Sequence, residues 1–235
     1  MKRLGFIITI IMFFAVALQA QTITASQILS NMKARFNTVN DYTAEVEANV
    51  NMEKLRMPKV KIKMYFKQPD KFHYESKSFA MLPKGGVNFN PLDYPEDKFN
   101  YKLNGKETIN EISAYQLEVT PKEKKKDAPD AKTFIWVDSE NWVVKRVVNE
   151  KDEIFKIIMD FNHSWIEGKY YMPSWIKISY DVKPQPETES SQEQKPQKRS
   201  RGLKIQKGEI SMSLMNYVIN AGINDDIFKK TDEKK

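Results

Sequence analysis

Residues 59–66, KVKIKMYF, place Val60, Ile62, Met64 and Phe66 on one parity and Lys59, Lys61, Lys63 and Tyr65 on the other. In a strand the first set covers one face and the second meets water. Upstream, YTAEVEANVNM (42–52) alternates in the same way, with Tyr42, Ala44, Val46, Ala48, Val50 and Met52 against Thr43, Glu45, Glu47, Asn49 and Asn51. The connection KLRMP lets the second strand return along the first. This predicts an antiparallel register with Glu47 near Tyr65, Glu45 near Lys67 and Glu53 near Lys59, so that acid faces base. Both apolar sets then point the same way and need a common cover.

Before these strands, Ile28, Leu29, Met32, Phe36 and Val39 fall near a 3.6-residue period. They predict an amphipathic helix over 26–37, with Ser26 as N-cap and Asn40-Asp41 as breaker. After them, Gln68-Pro69-Asp70 is a turn signal, and KFHYES puts Phe72 and Tyr74 on one face and His73 on the solvated one. Residues 79–99 combine Gly-Gly, three prolines and aromatics. That text suits neither strand nor helix, and it is too apolar for a free loop, so it is expected to cover something. From Lys106 alternation resumes, predicting strands at 114–120, 133–138, 143–148, 154–161, 170–182 and 203–215, with turn-like text at 138–141, 150–152 and 167–168. The pattern is α+β, mostly β: a large antiparallel sheet or an open barrel.

Composition narrows this. The chain has 235 residues, 40% of them hydrophobic, enough for one core and one domain. Residues 1–20 join a basic MKR to LGFIITIIMFFAVAL and end on Ala20, the pattern of a secretory signal. Removal there leaves 21–235 as a soluble, exported domain. The alternative is an uncleaved anchor, for which the apolar run is short against a span of ~20 residues. The chain has no cysteine, so neither a lipidated cysteine nor a disulfide is available. The net charge of +7 falls when Lys2 and Arg3 leave, to 36 basic against 31 acidic residues, a mild excess that does not point to nucleic acid. Residues 121–132 and 183–202 are charged, proline-bearing and poor in large side chains, and are expected to be mobile loops. Lys195, Lys198, Arg199 and Arg201 make a basic docking site the alternative for the second.

Catalytic patterns are missing from the text. There are two histidines, His73 and His163, and neither G-x-S-x-G nor H-E-x-x-H occurs. No metal-ligand spacing and no cofactor motif is present. His163 is expected near a turn in a structural hydrogen-bonding role. Glu45, Glu47 and Glu53 are expected to face lysines, and Asp160 and Asp181 lie on polar parities, so no inward carboxylate pair is evident. The methionines on apolar stretches suit a face that repacks around varied shapes, and Trp136, Trp142, Trp165 and Trp175 are expected in core or rim.

FKQPDKFHYES (66–76), NGKETINEISAYQLEVTPK (104–122) and IWVDSENWVVKRV (135–147), in this order after a helix and a long hairpin, resemble the outer-membrane lipoprotein carriers, LolA and its LolA-like relatives. The resemblance spans most of 26–182. It implies an unclosed antiparallel β-barrel, or half-barrel, with helices and an irregular lid over a concave apolar face. It implies a periplasmic, monomeric, non-enzymatic carrier of acylated lipoproteins or lipids, with transient membrane-protein contacts. The partners would be an inner-membrane donor complex and an outer-membrane acceptor. The cavity would be lined by Val46, Val50, Val60, Ile62, Met64, Phe66, Phe72 and Tyr74, and the lid would include Phe79, Met81, Leu82, Phe89, Leu92 and Tyr94. An LolA-like sensor of lipid or envelope stress is the alternative, followed by an envelope hydrolase. In the family an arginine before the proline of the turn helps to hold the lid closed. Here Gln68 stands there, and the insertion at 183–202 is an addition to the family pattern.

Overall fold

The computed structural model describes residues 23–52, 55–56, 59–76, 94–123, 131–151, 155–182 and 207–229. The segment expected to be a signal, most of the expected lid, the loop 183–202 and the centre of the loop 121–132 lie outside them.

Helix α1, Ala25–Phe36, begins one residue before the expected start. Its N-cap is Thr24, not Ser26. Thr24 Oγ1 accepts from the Gln27 backbone N–H, and Gln27 Oε1 accepts from the Thr24 N–H at 2.8 Å. This reciprocal capping box satisfies two helix-end donors, a gain of about 1 kcal/mol. Ser26, inside the first turn, instead donates to Glu96 Oε1. The helix buries Ile28, Leu29 and Met32, each contributing about 1.5–3 kcal/mol.

The strands are β1 (Asp41–Met52), β2 (Leu55–Arg56), β3 (Val60–Lys67), β4 (Lys71–Glu75), β5 (Phe99–Ile109), β6 (Ile112–Pro121), β7 (Ala131–Asp138), β8 (Val144–Lys151), β9 (Phe155–Ile166), β10 (Tyr170–Val182) and β11 (Lys207–Ile219). A short helix α2, Asp226–Lys229, follows. One antiparallel sheet runs β4-β3-β1-β11-β10-β9-β8-β7-β6-β5, with β2 pairing to β1. The sheet is unclosed, with β4 and β5 at the ends of the order.

Cross-strand partners share a face, so single rows can be followed across the sheet. Val50, Ile210, Ile178, Met159, Val147, Ile135, Leu117 and Leu103 form one row through eight strands, all apolar. The row Asn49, Ser211, Lys177, Asp160, Arg146, Trp136 and Gln116 belongs to the opposite face. The first face carries the main core and packs against α1. The second holds a small satellite of Trp136, Val148, Ile109 and Ala114 beside the 2.6 Å ion pair of Arg146 with Asp160.

Four expectations are corrected. The β1–β3 register pairs Glu47 with Lys61 and Glu45 with Lys63, four positions from the expected partners. The cause is that β1 runs on to Met52, which pairs at once with Leu55, so KLRMP is not the connection: Leu55 and Arg56 already belong to the returning strand. Parity survives, and acid still faces base. Strand β5 (Phe99–Ile109) begins before Lys106, where alternation was expected to resume, and has no counterpart among the expected strands; a register shift at Leu103/Gly105, with Gly105 at φ +145°, breaks its period. Strand β9 passes Phe161 and continues to Ile166 because residues 162–166 pair with β10. His163 therefore lies inside a strand and not near a turn. His73 is also not on an open face: it packs on Tyr65 with ring centroids 5.7 Å apart. Tyr65 is buried, and its hydroxyl donates to Glu75.

Candidate functional site

Between α1 and the concave face lies a cavity of about 100 Å³. Met32, Phe36, Val39, Tyr42, Phe66, Phe161 and Met172 form its apolar wall, and Arg35, His163 and Tyr171 bring polar atoms to it. Its volume is below the ~300–1,000 Å³ of pockets that hold drug-sized ligands. In this conformation the cavity is thus a seam.

An aromatic group makes the floor. Phe66 lies 4.9 Å from Phe72, 5.1 Å from Tyr42 and 5.7 Å from Phe36, between ring centroids. Phe36 belongs to α1, so this edge-on contact joins helix to sheet. Such pairs add about 0.5–1.5 kcal/mol beyond their area. Tyr42 also packs on Tyr217, which donates to the Pro173 carbonyl at 2.6 Å, and burial pushes the Tyr217 phenol upward.

Another wall comes from the turn after β7. Asp138 Oδ1 accepts from the backbone N–H groups of Glu140 and Asn141, and Oδ2 accepts from the Asn141 amide. This Asx-type turn delivers Trp142 in a left-handed conformation, φ +58°. That is an uncommon state for a bulky residue. The indole stacks on Tyr115, with planes 8° apart, and lines the cavity.

The polar end is built around Tyr171. Its ring lies 5.3 Å from His163 and 5.0 Å from Trp165, and Lys145 Nζ sits 5.9 Å above it. The Arg35 guanidinium lies 5.0 Å over Trp165. Lys145 is the extra residue of a bulge, since Val144 pairs with Val137 and Arg146 with Trp136. Bulges re-aim side chains in this way. Burial lowers the Lys145 pKa, and Asp138 opposes that shift. Burial is also the main reason that the His163 pKa falls to about 3, with Lys145 and Arg35 adding to it and Asp138 opposing it.

Of the eight expected cavity residues, Phe66 forms part of this wall. Val46, Val50, Val60, Ile62 and Met64 are buried on the same face within the main core, and Phe72 and Tyr74 are half-buried beside it. Of the expected lid, Tyr94 is described: it packs on Phe99, and its carbonyl accepts from Tyr101. Phe79, Met81, Leu82, Phe89 and Leu92 lie outside the described residues. Sequence reasoning missed Arg35, Lys145 and Tyr171 and misplaced His163. Phe161, His163 and Trp165 share one parity, which was the available signal. Lys145 had none, because a bulge interrupts the period.

Gln68 precedes the proline of the β3–β4 turn. Its amide donates to the carbonyls of Phe36 and Val39, so it ties the β3–β4 turn to the end of α1. Among the described residues, no group of three or more acidic or histidine side chains could hold a metal ion.

No family model and no curated protein matches the sequence. Solved structures do. An outer membrane lipoprotein-sorting protein domain from Vibrio parahaemolyticus is 12% identical, with a TM-score of 0.56, covering 88% of this chain and 98% of that one. A DUF1329 family protein from Desulfovibrio piger is 14% identical at a TM-score of 0.56, over 89% and 99%. A LolA superfamily protein from Nitrosomonas europaea is 12% identical at 0.52, over 88% and 98%. At these identities the likeness is one of fold.

Proposed function

We propose that this chain, which has the LolA-like fold, binds acyl chains beneath helix α1 and carries lipoproteins or lipids through the periplasm. The observation that supports the reading most is the seam between α1 and the apolar face, with its aromatic floor. Burial there offsets the cost of bringing a chain into water, about 0.8 kcal/mol per methylene. Direction then comes from differences in affinity among an inner-membrane donor, the carrier and an outer-membrane acceptor. Val46, Val50, Val60, Ile62, Met64, Phe66, Phe72 and Tyr74 become the bed of the chain once α1 has moved. Tyr94, the described residue of the expected lid, belongs to its cover.

The test uses the protein isolated from its native envelope. Mass spectrometry is expected to find co-purified acylated molecules, and a fluorescent acyl probe is expected to compete with them. The intact mass is expected to show cleavage after Ala20. No bound acyl species and no probe uptake at any concentration would overturn the carrier reading. Stable capture of one regulatory protein, without transfer of cargo to vesicles, would favour the sensor.

A further inference from the structure

The polar end of the seam carries donors in excess of acceptors. Lys145 is 6% exposed and makes neither a hydrogen bond nor an ion pair among the described residues, its nearest partner being the Tyr171 ring. Buried lysines are rare without an anion. Arg35 Nη2 is a buried atom with no hydrogen-bond partner, although the guanidinium is held over Trp165. His163 Nδ1 is a second such atom. The adjacent carboxylate, Asp138, is 2% exposed and already accepts from two backbone amides and one side-chain amide. It opposes the burial of Lys145 electrostatically without meeting it.

Three elements supply these groups: α1 gives Arg35, the β8 bulge gives Lys145 and the inner parity of β9 gives His163. Arg35 and His163 reach the wall of the seam, whose other lining is mainly apolar. A cationic end next to an apolar bed matches a guest with the same division. An unpaired buried donor costs more than a satisfied one gains, so a guest that brings an acceptor removes a penalty already present in the empty protein.

We infer that Arg35, Lys145 and His163 form a headgroup site, and that the guest is an anionic amphiphile with a carboxylate or phosphate head and an acyl tail. This rests on the acyl-carrier reading and narrows it, since a neutral acylated head gives these donors no charge to meet. The seam has room for the head and the first carbons, and the remaining tail enters as α1 lifts. Arg35 rides on α1, so a bound head also draws the helix back to the sheet.

The test compares, on the full exported chain, a fluorescent fatty acid with its methyl ester, with inorganic phosphate as a competitor without a tail. The acid is expected to bind about ten- to a hundredfold tighter than the ester, the range of a charge-assisted hydrogen bond made in a buried site. Arg35→Gln and Lys145→Met are each expected to remove most of that gap, with circular dichroism and denaturant unfolding showing that the variants are folded. Arg35→Lys, keeping the charge, is expected to retain part of it. Excess phosphate is expected to leave acid binding largely intact, and a phosphate-headed probe of equal tail length is expected to match the acid. Equal binding of acid and ester, or a gap that survives both substitutions, overturns the headgroup site and leaves the acyl carrier standing. Phosphate that displaces the acid at equal concentration overturns the amphiphile in favour of a simple anion site. Failure of both acid and ester to bind removes the carrier reading and this inference together.

Discussion

The side-chain amide of Gln68 donates to the carbonyl oxygen of Val39 at 2.9 Å and to that of Phe36 at 3.2 Å. Both acceptors lie at or just beyond the C-terminal end of α1, where carbonyls lack helical donors. One neutral side chain therefore bridges the β3–β4 turn and the helix that closes the seam. An arginine there would carry a charge that must be matched. Gln68 needs only acceptors, so the tie is insensitive to pH and salt.

Gln68→Leu keeps the volume and removes the donor. The expected result is a loss of about 1–3 kcal/mol, because the Val39 carbonyl loses the amide donor and the Phe36 carbonyl keeps only the Val39 N–H, measured by denaturant unfolding. Amide exchange is expected to quicken over 36–40 and acyl-probe uptake to become faster. Unchanged exchange there would show that the tie does not restrain α1.

His163 predicts an acid limb in stability. Its folded pKa is lowered to about 3 from 6.5, mainly by burial. Between those values the unfolded chain binds a proton that the folded chain refuses. Stability from this group is therefore full above pH ~6.5 and declines as pH falls toward 3, by up to ~1.4 kcal/mol per pH unit. The facing charges are Arg35 from α1, Asp138 from β7 and Lys145 from β8, with the Tyr171 ring stacked on the imidazole. Subtracting the pH profile of His163→Gln from the wild-type profile is expected to isolate that slope. A flat difference from pH 6.5 to 4 would mean that His163 is protonated where it lies.

Much of the fold was legible because one face of the sheet is buried. Tyr42 to Val50 and Val60 to Phe66 must alternate to cover it, and a two-residue period survives even a four-position error in register. The site was less legible, since its key positions depart from periodicity. Lys145 enters through a bulge, Trp142 through a left-handed turn conformation, and Gln68 acts through carbonyls that belong to α1. Strand β5 was missed for the same reason, because the register shift at Leu103/Gly105 breaks its period. The capping box was readable at Thr24 and Gln27, three residues apart, but Ser26 offered a rival cap.

Residues 183–202 join strands that pair from Asp181 with Lys207. Their composition cannot bury apolar surface. Replacement by a ten-residue Gly-Ser linker is expected to keep the melting temperature within a few degrees, because halving a loop changes closure by only about 0.6 kcal/mol. Cooperative loss of folding on calorimetry would show that the segment is a structural element.

Phe66 decides whether the floor of the seam is core or bed. It is 1% exposed and touches aromatic rings from α1, β1 and β4, so in the empty protein it behaves as core. Phe66→Ala is expected to cost about 3–5 kcal/mol in denaturant unfolding. The same change opens space next to an existing cavity, and an acyl guest can fill what the ring vacates. Saturating acyl probe is therefore expected to restore more stability to Phe66→Ala than to the wild type, with tighter probe binding by the same linkage. Met64→Ser, on the same face but away from the cavity wall, is expected to lose stability without that rescue. Equal stabilisation of both variants by the probe would place the guest elsewhere on the concave face, and no stabilisation of either would remove the seam as its site.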